Sequence, residues 1–323
     1  MFPFARKQLR ILSLAWLAAL LLSLPAKVPA QVFTEYAIPT TSSQPFAVTP
    51  GPDGALWFTE MHGNKIGRIT TGGAVTEYRI PTPASKPVWI VAGPDGALWF
   101  TEMNGNKIGR ITTLGSFTEF PLPTPGSTPW NIVSGPGGAL WFTERGSSKI
   151  GSIATDGTLA EYPVPVAPWD LAAGPDGAIW YTEWSYNKVA RMTTAGVVTN
   201  QYAVPTPSSN PDVIITSPDQ LLWFVEYAGD KIASLSTAGA IAEYLVPTPH
   251  SLPGAITVGP DSALWFTEHA GNKIGRITLT GAITEYPVPT PASVPMVIEP
   301  GPDGALWFTE YHGNKIGRIT TPD

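Results

Sequence analysis

Seven glutamates in this 323-residue chain share one setting. Glu60, Glu102, Glu144, Glu183, Glu226, Glu268 and Glu310 each stand three residues after a tryptophan and five before a lysine. A ring of carboxylates suits a divalent cation, and a single carboxylate suits general acid or base work. The lysines (Lys65, Lys107, Lys149, Lys188, Lys231, Lys273 and Lys315) point to a structural use instead. Facing the glutamates across a hairpin, they predict exposed cross-strand ion pairs worth roughly 0.2–1 kcal/mol each. A motif present in every unit marks no single site. Three of the four histidines, His62, His269 and His312, fall in the loops between these glutamates and lysines. Histidine suits both metal binding and proton transfer, which makes these three the candidate catalytic residues. The same loop positions elsewhere hold Met, Asn, Ser and Tyr, as ordinary turn positions would.

The elements that position these residues follow from the tryptophans. Trp57, Trp99, Trp141, Trp180, Trp223, Trp265 and Trp307 are spaced by 42, 42, 39, 43, 42 and 42 residues. A period of this size means a solenoid or a propeller. Each unit reads as four short strands; in the second they are "PVWIV", "ALWFTE", "KIGRIT" and "FTEFPL". Turn sequences such as "GPDG" and stiff "PTP" linkers divide them. The last unit ends at "GRITTPD" without a fourth strand, whereas "FTEYAIP" at 33–39 is such a strand with no unit before it. The prediction is an all-β, seven-bladed β-propeller of four-stranded blades, closed when the N-terminal strand completes the last blade.

Residues 1–30 read as a secretory signal peptide: a basic "FARKQLR", an apolar "ILSLAWLAALLLSL" and a small-residue "VPA" cleavage site. Residues 31–323 are then one propeller domain, secreted or periplasmic, a monomer, with no membrane insertion after cleavage. Cleavage removes four basic residues and no acidic ones, so the formal charge goes from −6 to −10. That balance, without a basic cluster, argues against nucleic acid or anionic lipid as a partner. With no cysteine, stability rests on packing alone.

Function is sought where the units differ. A proline stands twelve residues before every marker tryptophan, and the residue after it opens the inner strand at the mouth of the channel. Around the ring these residues are Phe46, Val88, Trp130, Trp169, Asp212, Gly254 and Met296. With Trp89, Asn131, Asp170, and Trp184 and Tyr311 from hairpin loops, Trp130, Trp169, Asp212 and Met296 form the predicted ligand-binding set. Such an aromatic floor with few polar groups fits a small amphipathic or cyclic ligand, a glycan or a protein segment.

The repeated string "LWFTE…GNKIGRIT…G…TEYPVPTP" resembles the virginiamycin B lyase (streptogramin B lyase) family over the whole of 31–323. The resemblance implies a seven-bladed propeller and a Mg2+-assisted elimination that opens a cyclic depsipeptide. It places the general base at Met296, a substrate-binding histidine at Gly254, and metal-binding glutamates at Val294 and at Glu310 or Tyr311. Methionine is no base and valine no magnesium ligand. The expectation is therefore a propeller that binds a ligand or partner at its aromatic mouth. The alternative is a magnesium-dependent lyase, or a related carbon–oxygen lyase or lactonase.

Overall fold

Every "LWFTE"-type segment forms the second strand of a four-stranded antiparallel sheet, and every residue of that strand is buried. The reason is that both faces of the strand lie against neighbouring blades, so alternation gives way to continuous apolar packing. The computed structural model describes residues 31–321, and the signal peptide expected over residues 1–30 lies outside the described residues. Seven such sheets form the ring, six built from four consecutive strands each. In the seventh, Phe33–Ala37 pairs antiparallel with Lys315–Ile319, matching Phe33 to Ile319 and Ala37 to Lys315. The N-terminal strand thus closes the propeller.

The repeated residues form two networks between strands. Trp57 Nε1 donates to Asp53 of the "GPDG" turn at 3.0 Å, and Arg68 clamps the same carboxylate at 2.6 Å. The Trp57 ring stacks on Tyr78 of the outer strand at 5.5 Å. The third blade has Gly137 and Ser152 in place of this aspartate and arginine, and there Trp141 Nε1 is buried without a partner. The fifth blade has Ser234 in place of the arginine but keeps Asp219, which still accepts from Trp223 Nε1 at 3.2 Å.

The second network corrects the expected ion pairs. Glu60 does stand opposite Lys65 in register, but the Lys65 ammonium bonds Glu77 of the outer strand at 2.8 Å. Glu77 also accepts from the backbone and hydroxyl of Thr40, in the linker of the preceding blade, both at 2.9 Å. The same lysine–glutamate–threonine link recurs up to the closing strand, where Lys315 and Thr290 both reach Glu35. Glu60, Glu102, Glu226, Glu268 and Glu310 are left fully buried with both carboxyl oxygens unpartnered. The hairpin glycine makes room for them: a Cβ on Gly63 would lie 2.8 Å from Glu60 Oε2. Burial, reinforced by the outer-strand glutamate, pushes these carboxyls up to about 7 or 8.

The fourth blade departs from this scheme. Its linker is "PVAP" at 165–168, against seven residues such as "PTPGSTP" at 123–129 elsewhere. The linker threonine and the outer-strand glutamate are both missing; Gln201 takes the glutamate's place and donates to Glu183 at 2.8 Å.

Candidate functional site at the channel mouth

Each inner strand but the fourth starts with a β-bulge: Pro129 pairs with Glu144, and the ladder resumes at Ile132 and Phe142. Two residues, Trp130 and Asn131, therefore face the single Thr143, which turns the strand's opening residues toward the channel mouth. Threonines of the neighbouring blade hold the strand openings, bulged or not. Thr101 donates to the Trp130 carbonyl at 2.7 Å, Thr143 to that of Trp169 at 3.2 Å, and Thr267 to that of Met296 at 2.8 Å. The mouth residues thus sit on a rigid rim.

They surround an apolar cavity of about 310 Å³, lined by Phe46, Trp89, Trp130, Trp169, Trp184, Asp212, Tyr227, Gly254, His269 and Met296 among others. Six of the nine predicted ligand-binding residues meet there: Trp89, Trp130, Trp169, Trp184, Asp212 and Met296. The aromatic rings are coupled, with Trp169 stacked on Trp184 at 4.3 Å and Phe46 edge-on to Trp130 at 5.4 Å. Asn131 and Asp170 lie elsewhere, on a separate void of about 80 Å³ between the inner strands, which Glu299 also lines. Both are almost fully buried, with Asn131 Nδ2 donating to Asp170 at 2.8 Å. Tyr311 does not line the cavity; its hydroxyl bonds Gln44 at 2.6 Å.

The electrostatics are those of a desolvated site. Burial pushes Asp212 up to about 7, opposed by the Trp169 indole N–H, which donates to it at 2.7 Å, and by the Arg145 charge. Asp170 is also raised well above the ordinary aspartate value, by burial and then by the Asp212 charge. Glu299, bonded by Thr257, is pushed up to about 7 by burial. Glu299 stands four residues after the inner-strand proline Pro295, not directly after it, so the pattern that picks out the mouth residues passes it over.

The three histidines separate. His62 and His312 are exposed on their hairpins, whereas His269 turns into the cavity. Its imidazole covers Gly254, where a Cβ would lie 1.7 Å from Nε2. Nε2 is buried without a partner, and burial pulls the ring down to about 4, so it is neutral at pH 7. Gly254→Ala is expected to expel the imidazole. Histidine NMR titration would show the His269 pKa climbing from about 4 toward the ordinary value near 6.5. An unchanged pKa would mean that the cavity takes both groups.

Sequence and structure comparisons match this arrangement to one family. The virginiamycin B lyase family model matches residues 28–212 and 166–323. The chain belongs to the virginiamycin B lyase family. A solved streptogramin B lyase superposes with a TM-score of 0.86 at 39% identity, covering 90% of this chain and 97% of that one. A catalytically inactive histidine-to-alanine variant of virginiamycin B lyase from Staphylococcus aureus, crystallised with quinupristin, gives 0.85 at 39% identity, covering 90% and 99%. Virginiamycin B lyase of Saccharopolyspora erythraea is 46% identical over 39 residues, 12% of this chain and 13% of that protein.

This member of the virginiamycin B lyase family keeps the scaffold, and the positions that the resemblance implies for the site hold other residues. Met296 and Gly254 both line the mouth cavity, at the positions that the resemblance gives to histidines. Of the implied metal positions, Val294 is apolar and Glu310 is sealed beneath its hairpin with both oxygens buried. Tyr311 is bonded to Gln44. Among the described residues no three His, Asp or Glu side chains converge as metal ligands would. These residues do not fit the family's Mg2+ ion.

Proposed function

We propose that this propeller binds a small amphipathic ligand, cyclic or aromatic in character, in the cavity at its channel mouth, and that it is an exported binding protein. The observation that carries this is the cavity of about 310 Å³ with a tryptophan-rich wall and Met296 and Gly254 on its lining. Cavities of this size with a few convergent polar groups are typical small-molecule sites. Quinupristin, found with the Staphylococcus aureus relative, is the first probe. Titration followed by calorimetry should give saturable binding that Trp169→Ala weakens by about tenfold or more, since stacked aromatic contacts each supply about 1 kcal/mol beyond area. Mass spectrometry should recover the ligand unopened after incubation with Mg2+. Absence of binding, or binding indifferent to Trp169, would sink the proposal.

One observation favours a second reading, that of a lyase with a relocated base. His269 is neutral, lacks a partner at Nε2 and covers the glycine at an implied histidine position. Such a group is competent to take a proton α to a carbonyl. Ring opening that His269→Ala abolishes would replace the first reading with this one.

A further inference from the structure

The short linker into the fourth blade leaves a second cavity beside the first. It has a volume of about 340 Å³, and its lining includes Thr128, Arg145, Ala167, Trp169 and Ser185. Ala167 belongs to "PVAP", the segment three residues shorter than its counterparts, so the cleft lies where the other blades carry more linker. Trp130, Trp169 and Trp184 line both cavities.

Arg145 is the unusual group here. The corresponding first hairpin position holds Met61, Met103, Trp184, Tyr227, His269 or Tyr311 in the other blades. Its guanidinium lies 3.3 Å from the Trp169 ring centroid and 4.4 Å from that of Trp130. A cation–π contact is made through the charge over the ring and leaves guanidinium N–H groups for another partner. Among the described residues Arg145 forms no ion pair and donates no hydrogen bond, whereas Arg68, Arg110, Arg191, Arg276 and Arg318 each clamp an aspartate. Burial holds its pKa down, near 10, and it is still a cation at pH 7. The cleft lining contains no carboxylate. Asp212 lines the other cavity and is engaged by the Trp169 indole N–H; it feels the Arg145 charge at longer range but forms no ion pair with it. Thr128 and Ser185 add hydroxyl groups beside the cation. A half-buried, unpaired guanidinium flanked by hydroxyls is suited to bidentate binding of a planar anion.

We propose that this cleft is a carboxylate subsite, in which Arg145 takes the acidic group of a ligand whose apolar body lies on Trp130, Trp169 and Trp184. The inference rests on the mouth cavity being a ligand site, and it narrows the ligand class to amphipathic acids. The free carboxylate of a linear aromatic peptide has this chemistry.

The test uses two probes that differ only in charge, 2-naphthylacetate and 2-naphthylacetamide, titrated calorimetrically into the mature chain. The carboxylate is expected to bind about tenfold tighter than the amide. Arg145→Met should bring the two within about twofold, and Arg145→Lys should keep part of the preference, because it retains the charge without the fork. Near-UV circular dichroism checks that both variants keep the aromatic packing. Raising the salt concentration should shrink the preference. Equal affinities in the unmodified protein would overturn the carboxylate subsite while leaving the aromatic cavity standing. A preference that survives Arg145→Met would also overturn it, and binding of neither probe would overturn both.

Discussion

The stability of the propeller, residues 31–323, is expected to fall as pH rises from 5 to 8, opposite to the trend of a protein held by ionised carboxylates. Glu60, Glu102, Glu226, Glu268 and Glu310 keep their protons up to about pH 7 or 8 in the folded state, against an ordinary value of 4.5. Between those limits the folded chain binds more protons than the unfolded one. Their contribution is therefore fully present below about pH 4.5 and is lost as pH rises through 7 to 8. Asp53, Asp95, Asp176 and Asp303 act the other way. Hydrogen bonds from a tryptophan and an arginine outweigh their desolvation and hold them low, so their contribution is lost as pH falls through their lowered values. The expected maximum is near pH 5, with a loss of several kcal/mol, to order of magnitude, by pH 8. Urea unfolding at pH 5, 6.5 and 8 measures it. Replacing the five glutamates by glutamine, the neutral isostere, should flatten the profile and stabilise the protein most at pH 8. Stability that climbs from pH 5 to 8 would show that these carboxyls are ionised and solvated.

Deleting residues 31–39 should cost more than any single substitution at the mouth. The deletion removes the strand Phe33–Ala37 and with it the whole ladder to Lys315–Ile319. It also takes away the Tyr36 ring that stacks on Trp307 at 5.5 Å and the Glu35 carboxylate that binds Lys315 and Thr290. The edge at Lys315–Ile319 would then be open, and open edges invite pairing with other chains. A fall in Tm of about 10 °C or more is expected, with dimers or larger species on size exclusion. A synthetic peptide of residues 31–40 added in trans should recover part of the loss. A truncated chain with unchanged Tm would mean that the ring does not depend on this closure.

The blades and their closure were legible in the sequence because both follow from local pattern. Strand period, turn chemistry and a unit missing its fourth strand are all written in contiguous residues. The mouth was largely legible for a related reason: a residue just after the inner-strand proline has its direction set by the blade itself. Trp130, Trp169, Asp212 and Met296 were found that way. Asn131 and Asp170 come one position later, and the structure places them deeper between the inner strands, against each other.

Partner choice and protonation were not legible. Register places Glu60 opposite Lys65, and the sequence alone makes them the natural pair. The ammonium instead goes to Glu77, where Thr40 of the preceding blade joins it, and Glu60 is buried as an unpartnered carboxyl. The decisive groups come from different strands and different blades. The same holds for the imidazole of His269 over Gly254, fifteen residues away, and for Arg145, which meets Trp169 of the next blade. Sequence by itself determined the repeating object and the residues that open onto its channel, since those depend on local backbone geometry. Tertiary structure alone decided which charges are neutralised, buried or left free, because desolvation and pairing depend on neighbours that the chain brings together only on closing the ring.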